Sequence, residues 1–133
     1  DFKGYMVFFF ENGKAAKIPM ESYQTKQNRR KLLAAFNDKS PVVHMEYLPE
    51  EAELAVTTSA GRMLLVHSTQ IPEKATRTTV GVAVVTLKKN VRIESVRRAD
   101  MLELSDPHRY RVRTLPATGA LVKADDIAEQ ISF

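Results

Sequence analysis

Basic side chains recur at matching places in two successive stretches of this chain. Lys14 follows the turn Asn12-Gly13, and Arg62 follows the turn Ala60-Gly61, 48 residues further on. A second basic group precedes an apolar segment in each stretch, and its members are Lys26, Arg29, Arg30 and Lys31 in the first and Lys74 and Arg77 in the second. Cations that repeat at a fixed spacing suit a polyanion whose charges also repeat, as the phosphates of a nucleic acid do.

The charge balance agrees with this hypothesis without requiring it. Residues 1–48 carry eight Lys/Arg and five Asp/Glu, residues 49–98 carry the same numbers, and residues 99–133 carry four and six. Both repeats are therefore basic and the tail is mildly acidic, although a well-solvated surface would give the same totals. The recurrence at equivalent positions is what favours phosphate contact over simple solubility.

The repeat extends from the charges to the apolar positions. Met6 aligns with Leu54, Phe8 with Val56 and Val43 with Val91, and no gap is needed between Met6 and Leu48. Such a period indicates an array of supersecondary units, none of which buries its apolar face alone.

Each unit is predicted to contain about four short strands. In the first copy the expected strands are Tyr5–Phe10, Ala15–Ile18, Lys31–Phe36 and Val42–Tyr47. Residues 31–36 favour a helix by propensity, but they align with 79–84, whose valine-rich sequence is typical of a strand, so both are predicted to be strands. In the second copy the expected strands are Glu53–Thr58, Met63–His67, Val80–Leu87 and Val91–Val96.

Units of this length with four strands are typical of propeller blades. We therefore expect a single all-β domain fragment over residues 1–133, with antiparallel blades in a partial or open array. Repeat 1 covers about 1–48, repeat 2 about 49–98, and 99–133 is a degenerate third blade or a C-terminal cap. Within this tail Tyr110–Leu115 and Ala120–Lys123 are possible strands and Asp125–Gln130 a possible short helix.

Residues suited to catalysis are not grouped in this sequence. There is no cysteine, and His44, His67 and His108 are scattered without metal-ligand spacing. Neither a phosphate-binding glycine loop nor a nucleophile elbow occurs. We expect no catalytic residue and no metal site, a reducing cytoplasm as the compartment and no membrane partner, since no apolar run approaches about 18 residues.

Aromatic residues offer a second way of binding bases. Phe8, Phe9, Phe10, Tyr23 and Phe36 could stack on them. Strand alternation places Phe8 and Phe10 on one face and Phe9 on the other, and at least one face must be core. Core packing is therefore the favoured interpretation.

The second repeat carries a pattern that resembles a known family. Thr58-Ser59-Ala60-Gly61-Arg62 is followed by a loop and then by Arg77-Thr78-Thr79-Val80-Gly81-Val82. This pattern resembles a blade of the C-terminal domain of the A subunit of bacterial type IIA topoisomerases, DNA gyrase and topoisomerase IV. The first repeat matches more loosely, and the tail, with Leu115-Pro116-Ala117-Thr118-Gly119, is similar to the end of such subunits.

The resemblance implies a β-pinwheel, a propeller-like disc whose blades exchange strands and around whose basic rim duplex DNA bends. It implies that the basic residues named above contact phosphates. It also implies that other domains and subunits of the enzyme are partners, and that ATP and magnesium are used elsewhere while this domain needs no cofactor. The domain would be non-catalytic alone.

Three departures qualify the resemblance. The glycine-rich gyrase box is absent, and its nearest echo is Gln27-Asn28-Arg29-Arg30-Lys31, so a role like that of topoisomerase IV fits better than one like that of gyrase. The family's disc usually has more blades than this chain supplies. Tyr110 follows Arg109 but lacks the family's preceding cleavage motif, so it is interpreted as structural. The alternatives are a protein-interaction propeller with an acidic partner, and an enzyme whose site forms between chains.

Overall fold

The computed structural model describes residues 3–20, 41–73, 81–124 and 126. This part of the chain forms two four-stranded antiparallel sheets, ordered β3-β1-β2-β6 and β7-β4-β5-β8. The strands are β1 Tyr5–Phe10, β2 Lys14–Pro19, β3 Val42–Leu48, β4 Glu53–Thr58, β5 Arg62–His67, β6 Val82–Ala83, β7 Ile93–Arg98 and β8 Ala120–Leu121. The predicted all-β architecture of four-stranded blades is confirmed, and the two sheets are called blade one and blade two below. Among the described residues no helix has the length and apolarity to cross a bilayer.

Each blade is built on a hairpin whose turn the sequence encodes. Gly13 and Gly61 have φ of 89° and 76°, which glycine adopts without steric cost. Their N–H groups donate to the carbonyls of Phe10 and Thr58, both at 3.1 Å. Phe8 lies opposite Ala16 and Val56 opposite Leu64, so the hairpins are equivalent at an offset of 48 residues, as predicted.

The fourth strand of each blade comes from later in the chain. Strand β6 follows the second hairpin, yet it pairs with β2 of blade one, where Ala83 lies opposite Lys14. Strand β8 in the tail pairs likewise with β5 of blade two, where Leu121 lies opposite Arg62. The strand predicted within the second copy at Val80–Leu87 is thus shorter than expected and belongs to the first blade. The predicted strand Lys31–Phe36 lies outside the described residues.

The third strands reveal a second difference from the sequence alignment. Met45 lies opposite Phe8, and Val96 lies opposite Val56, which sets these strands 51 residues apart instead of 48. The gapless alignment of Val43 with Val91 is therefore wrong here, and β7 begins at Ile93. Hydrogen-bond register with the central strand, including a bulge at the same place in both blades, decides this pairing and is not visible in a sequence comparison.

The main core lies between the two blades. Val7 and Phe9 of blade one and Val56 and Leu64 of blade two belong to one buried cluster. Phe8 and Phe10 are also buried, with Ile18, on the opposite face of blade one. The three phenylalanines are thus core residues, as favoured, and offer no stacking surface. Tyr23 and Phe36 lie outside the described residues.

The tail covers the other face of blade two. Tyr110 is buried against Ala55, Met63 and Leu65. The predicted strand at Tyr110–Leu115 is wrong, because the chain instead makes a 3-10 turn at Pro107–Arg109 and one isolated bridge from Arg111 to Leu65. Only two residues of the predicted Ala120–Lys123 strand, those of β8, are in the sheet. Nearly all of the predicted helix at 125–130 lies outside the described residues.

A buried hydrogen bond between Tyr110 and Asp126 joins two parts of this tail. The Tyr110 hydroxyl donates to the Asp126 carboxylate, which also accepts from the backbone N–H of Ser105 at 2.9 Å and from its hydroxyl at 3.3 Å. Burial works to raise the pKa of Asp126, but these hydrogen bonds and the charge of Lys123 outweigh it, so the pKa lies below its ordinary value. Burial and the bond to Asp126 raise the pKa of Tyr110.

The exchanged strand leads to a prediction about glycine. Gly81 precedes β6 with φ of 90°, and a Cβ there would meet the carbonyl oxygen of Ala15 at 2.8 Å, whereas Gly61 has φ of 76° and open space around it. Gly61→Ala should cost about 1–2 kcal/mol from the left-handed backbone alone. Gly81→Ala should lower the free energy of unfolding further, because the strand must also shift. Urea denaturation of both variants checks this, and equal losses would contradict the close approach of β6 to β2.

The Asp126 carboxylate predicts a pH dependence. A carboxylate whose pKa is lower in the folded state contributes stability above its unfolded pKa of about 3.9 and loses it as pH falls through the folded value. Asp126→Asn should lower the free energy of unfolding at pH 7 by about 1.5–3 kcal/mol, the usual worth of a charged hydrogen bond, and the difference from wild type should shrink below about pH 4.

The control is Asp106→Asn, which removes an exposed carboxylate from the same tail. It should keep the wild-type pH profile in denaturant titrations between pH 3 and pH 7. A difference between Asp126→Asn and wild type that stays constant over this range would show that the carboxylate charge contributes nothing.

Candidate nucleic-acid interface

Two of the eight predicted phosphate-binding residues lie within the described part of the chain. Lys14 and Arg62 are the first residues of β2 and β5, each half-buried beside a hairpin turn and opposite a residue of an exchanged strand. Their positions in the two blades are equivalent. The other six, Lys26, Arg29, Arg30, Lys31, Lys74 and Arg77, lie outside the described residues, and their role stays a prediction.

Lys14 and Arg62 differ in how their side chains are used. Nη1 of Arg62 donates to the carbonyl of Gly119 at 2.8 Å, immediately before β8. Arg109 holds the same strand from the other side, through Nε and Nη2 bonds to the carbonyl of Leu121 at 3.1 and 2.8 Å. Arg62 therefore has a structural role in holding the exchanged strand. Only its remaining N–H groups can donate to a ligand. Among the described residues the Lys14 ammonium forms no ion pair.

The segment between β6 and β7 adds cations that the sequence analysis did not select. The N–H groups of Val84 and Val85 donate to the carbonyl of Gly13, at 2.9 and 3.0 Å, in the turn of blade one. Further along, Arg92 and Ser59 exchange two hydrogen bonds at the turn of blade two. The segment thus runs from one hairpin turn to the other.

Lys88, Lys89 and Arg92 are exposed on this connecting segment. A turn fixes its middle, where Asn90 has φ of 67° and the N–H of Val91 donates to Lys88 at 3.0 Å. Residues 81–92 contain three cations and no Asp or Glu. In the sequence these residues are only the short polar stretch Lys88-Lys89-Asn90 between two predicted strands, and the tertiary contacts are what place it between the two hairpins.

We call this surface the basic edge. Its members are Lys14, Arg62, Lys88, Lys89 and Arg92. Glu11 and Glu94 are exposed carboxylates of the same end of the blades, so the edge has a positive net charge of three. Within the described ranges none of the five cations takes part in an ion pair.

Three cations toward the opposite end of the hairpins are paired with carboxylates. Lys17 pairs with Glu51 at 2.7 Å, and Arg111 pairs with Glu53 at 2.9 Å. Arg98, at the far end of β7, pairs with Asp100 at 3.3 Å. Lys3 and Arg113 are also exposed toward this end and form no ion pair among the described residues. The two ends therefore differ in degree, since three cations are paired at this end and none of the five at the basic edge is paired.

The three histidines lie apart in the described part of the chain and have different partners. The described residues contain no group of three His, Asp or Glu placed to hold a metal ion. His44 bonds Glu46 at 2.7 Å, His67 caps a 3-10 turn, and His108 contacts Arg111. An open groove of about 570 Å³ between β3 and β7 is lined by His44, Glu46 and Glu94 among others, but nothing in it forms a nucleophile–base pair.

No protein-family model matches this sequence, and no curated protein is significantly similar to it. Solved structures do match in fold. The DNA gyrase A C-terminal domain aligns over 90% of this chain and 43% of that one, with a TM-score of 0.70 and 18% identity. The C-terminal domain of DNA topoisomerase IV aligns over 95% and 45%, with a TM-score of 0.68 and 18% identity.

A third solved structure, the E. coli ParC C-terminal domain, aligns over 80% of this chain and 41% of that one, with a TM-score of 0.56 and 16% identity. The chain thus spans less than half the length of these domains. At such identities the likeness concerns the fold, and at that level it confirms the resemblance seen in the sequence. The chain has the β-pinwheel fold of the C-terminal domains of DNA gyrase A and topoisomerase IV.

Proposed function

We propose that this chain binds and bends duplex DNA without sequence preference, as part of the C-terminal domain of the A subunit of a bacterial type IIA topoisomerase. The observation that carries the proposal is the basic edge, where five cations lie around the two hairpin turns and none of them forms an ion pair among the described residues. The shared fold supports the same assignment.

The chemistry of the edge suits phosphates better than bases. Lysine and arginine side chains at turns contact backbone oxygens, which position DNA but carry little sequence information. The aromatic residues that could have stacked on bases, Phe8, Phe9 and Phe10, are buried. Bending a stiff duplex costs several kcal/mol, so contacts from successive blades must act together.

Within the intact enzyme the domain would present a DNA segment for strand passage driven by ATP. Other domains and subunits would supply catalysis and use the ATP and magnesium, in the bacterial cytoplasm at the nucleoid. A role like that of topoisomerase IV is favoured over one like that of gyrase because the sequence lacks the glycine-rich gyrase box.

The basic edge predicts a salt-dependent affinity. Each phosphate neutralised contributes about −0.9 to the slope of log K against log salt. Lys88→Ala/Lys89→Ala should weaken binding to duplexes of unrelated sequence equally and reduce the slope by about 1.8. Mobility shifts over a salt series measure both quantities.

The matched control is Lys3→Ala/Arg113→Ala, which removes two exposed cations from the opposite end of the hairpins. Lys3 precedes β1, and the carbonyl of Arg113 accepts from Gln70, just beyond β5. The control should bind almost as wild type does. If the two double variants lose affinity equally, general charge is responsible and the edge has no special role.

The predicted loop cations require their own experiment. Arg29→Glu/Arg30→Glu/Arg77→Glu should bind duplex DNA more weakly and with a smaller salt slope than wild type. Circular dichroism should confirm that the variant is folded. Unchanged affinity would remove these three residues from the interface while leaving the basic edge to be judged separately.

A protein-interaction domain is the second candidate, because the open cations of the basic edge would also bind carboxylates of an acidic partner. Failure of the wild-type chain to bind DNA at low salt, together with capture of an acidic protein that Lys88→Ala/Lys89→Ala no longer retains, would favour this function.

A further inference from the structure

Lys17 is a lysine in an unusual position, since it is only 3% exposed. It lies in β2 of blade one, and its ammonium reaches blade two. There it contacts the Glu51 carboxylate at 2.7 Å and the carbonyl of Ser68 at 3.0 Å. The Tyr5 ring, on blade one, lies 4.4 Å from the ammonium and adds a cation–π contact. The buried ammonium therefore contacts a carboxylate, a carbonyl oxygen and an aromatic ring, each of which favours a positive charge.

The partners in blade two are themselves held in place. Glu51 precedes β4 and Ser68 follows β5, so together they mark the base of the second hairpin. The Ser68 hydroxyl donates to Glu51 at 3.1 Å and accepts from the N–H of Ala52 at 2.9 Å. The N–H of Ser68 donates to the carbonyl of Ala52 at 2.8 Å. We call Lys17, Glu51, Ser68 and Tyr5 the inter-blade joint.

Filling this position does not require a charge. Leu65 occupies the equivalent place in blade two and is also buried. Replacing a buried ion pair with apolar residues often leaves stability unchanged or raises it, whereas the pair itself fixes one arrangement of the groups that it joins. Lys17 therefore contributes directional contacts that an apolar residue would lack. Its hydrogen bonds at 2.7 and 3.0 Å constrain the angle between the blades, whereas apolar contacts do not.

The joint lies at the base of the blades, away from the hairpin turns. At the turn end the segment 84–93 links the two hairpins through backbone hydrogen bonds. At the base of blade two a parallel backbone bridge from Lys17 itself to Glu73 adds a second directional contact. A six-residue strand is about 20 Å long, so a rotation of roughly 10° at the base displaces a turn by roughly 3 Å.

We propose that Lys17 is a positioning residue that sets the angle between the two blades and thereby the spacing of the cations along the basic edge. Its consequence for DNA rests on the proposed function, since a displacement of about 3 Å is comparable with the axial rise of about 3.4 Å per phosphate of one strand. The geometric part of the proposal concerns the protein alone and is tested without DNA.

The absence of cysteine from the sequence allows clean spin labelling. Labels at Asn12→Cys and Ala60→Cys report the distance between the two exposed hairpin turns by pulsed electron paramagnetic resonance. In this background Lys17→Leu, which copies the residue of blade two, should at least double the width of the distance distribution. The control Arg111→Leu removes an ion pair within blade two and its tail, and should leave the distribution unchanged.

A second variant keeps the test decisive if Lys17→Leu does not fold. Lys17→Met/Glu51→Gln removes both charges while keeping the stem of the side chain, and it should broaden the distribution in the same way. A folded variant with the wild-type distribution would overturn the proposal. Broadening confined to Lys17 variants, and absent from Arg111→Leu, would support it.

DNA bending, followed by energy transfer between dyes at the duplex ends, separates this inference from the proposed function. Lys17 variants should retain at least half of the wild-type affinity but bend the duplex less. If the wild-type chain does not bind DNA, the proposed function is wrong. The role of Lys17 in setting the angle between the blades is then judged from the spin-label distances alone. Full bending by a variant with a broadened distribution would overturn the positioning role.

Discussion

Backbone hydrogen bonds between one hairpin and a strand supplied from later in the chain hold this structure together. Strand β2 would otherwise present a row of open donors and acceptors, which is costly for an edge and prone to aggregation. Strand β6 pairs with Lys14 and Ala15 at the turn end of this edge, and β8 pairs with Arg62 and Met63 of β5 in the same way. Because β6 must return across the first hairpin before the chain continues to β7, the connecting segment has to pass from one turn to the other. The position of Lys88, Lys89 and Arg92 follows from that path.

The same exchange separates the charges of the molecule. At the base of the hairpins the chain enters and leaves blade two, and there Glu51 and Glu53 meet Lys17 and Arg111. At the turns the connecting segment brings cations without carboxylates of its own. Open cations of one sign at one edge create a field that attracts polyanions and orients them. The distribution of charge therefore depends on topology as much as on composition.

The two blades are equivalent in backbone but not in the residues that join them to their neighbours. Lys17 makes a charged contact with blade two, whereas Leu65 at the matching position packs under the tail with Tyr110. Within the described residues, blade two is covered on that side by the tail with its buried Tyr110–Asp126 pair. A repeat can keep its hairpin geometry while the surfaces between units diverge, because register is fixed within each sheet and side chains decide what packs between sheets.

The sequence by itself determined the class of the fold and its hairpins. Short apolar runs and the glycine turns at Gly13 and Gly61 are local signals, and they predict β1, β2, β4 and β5 to within a residue or two. It also determined the equivalence of Lys14 and Arg62. Only the tertiary structure decided that β6 belongs to blade one and that β7 begins at Ile93, since both depend on hydrogen bonds between segments distant in sequence. It likewise decided that Arg62 is tied to Gly119 and that Lys88 and Lys89 lie between the turns, because side-chain partners are set by the path of the chain through space.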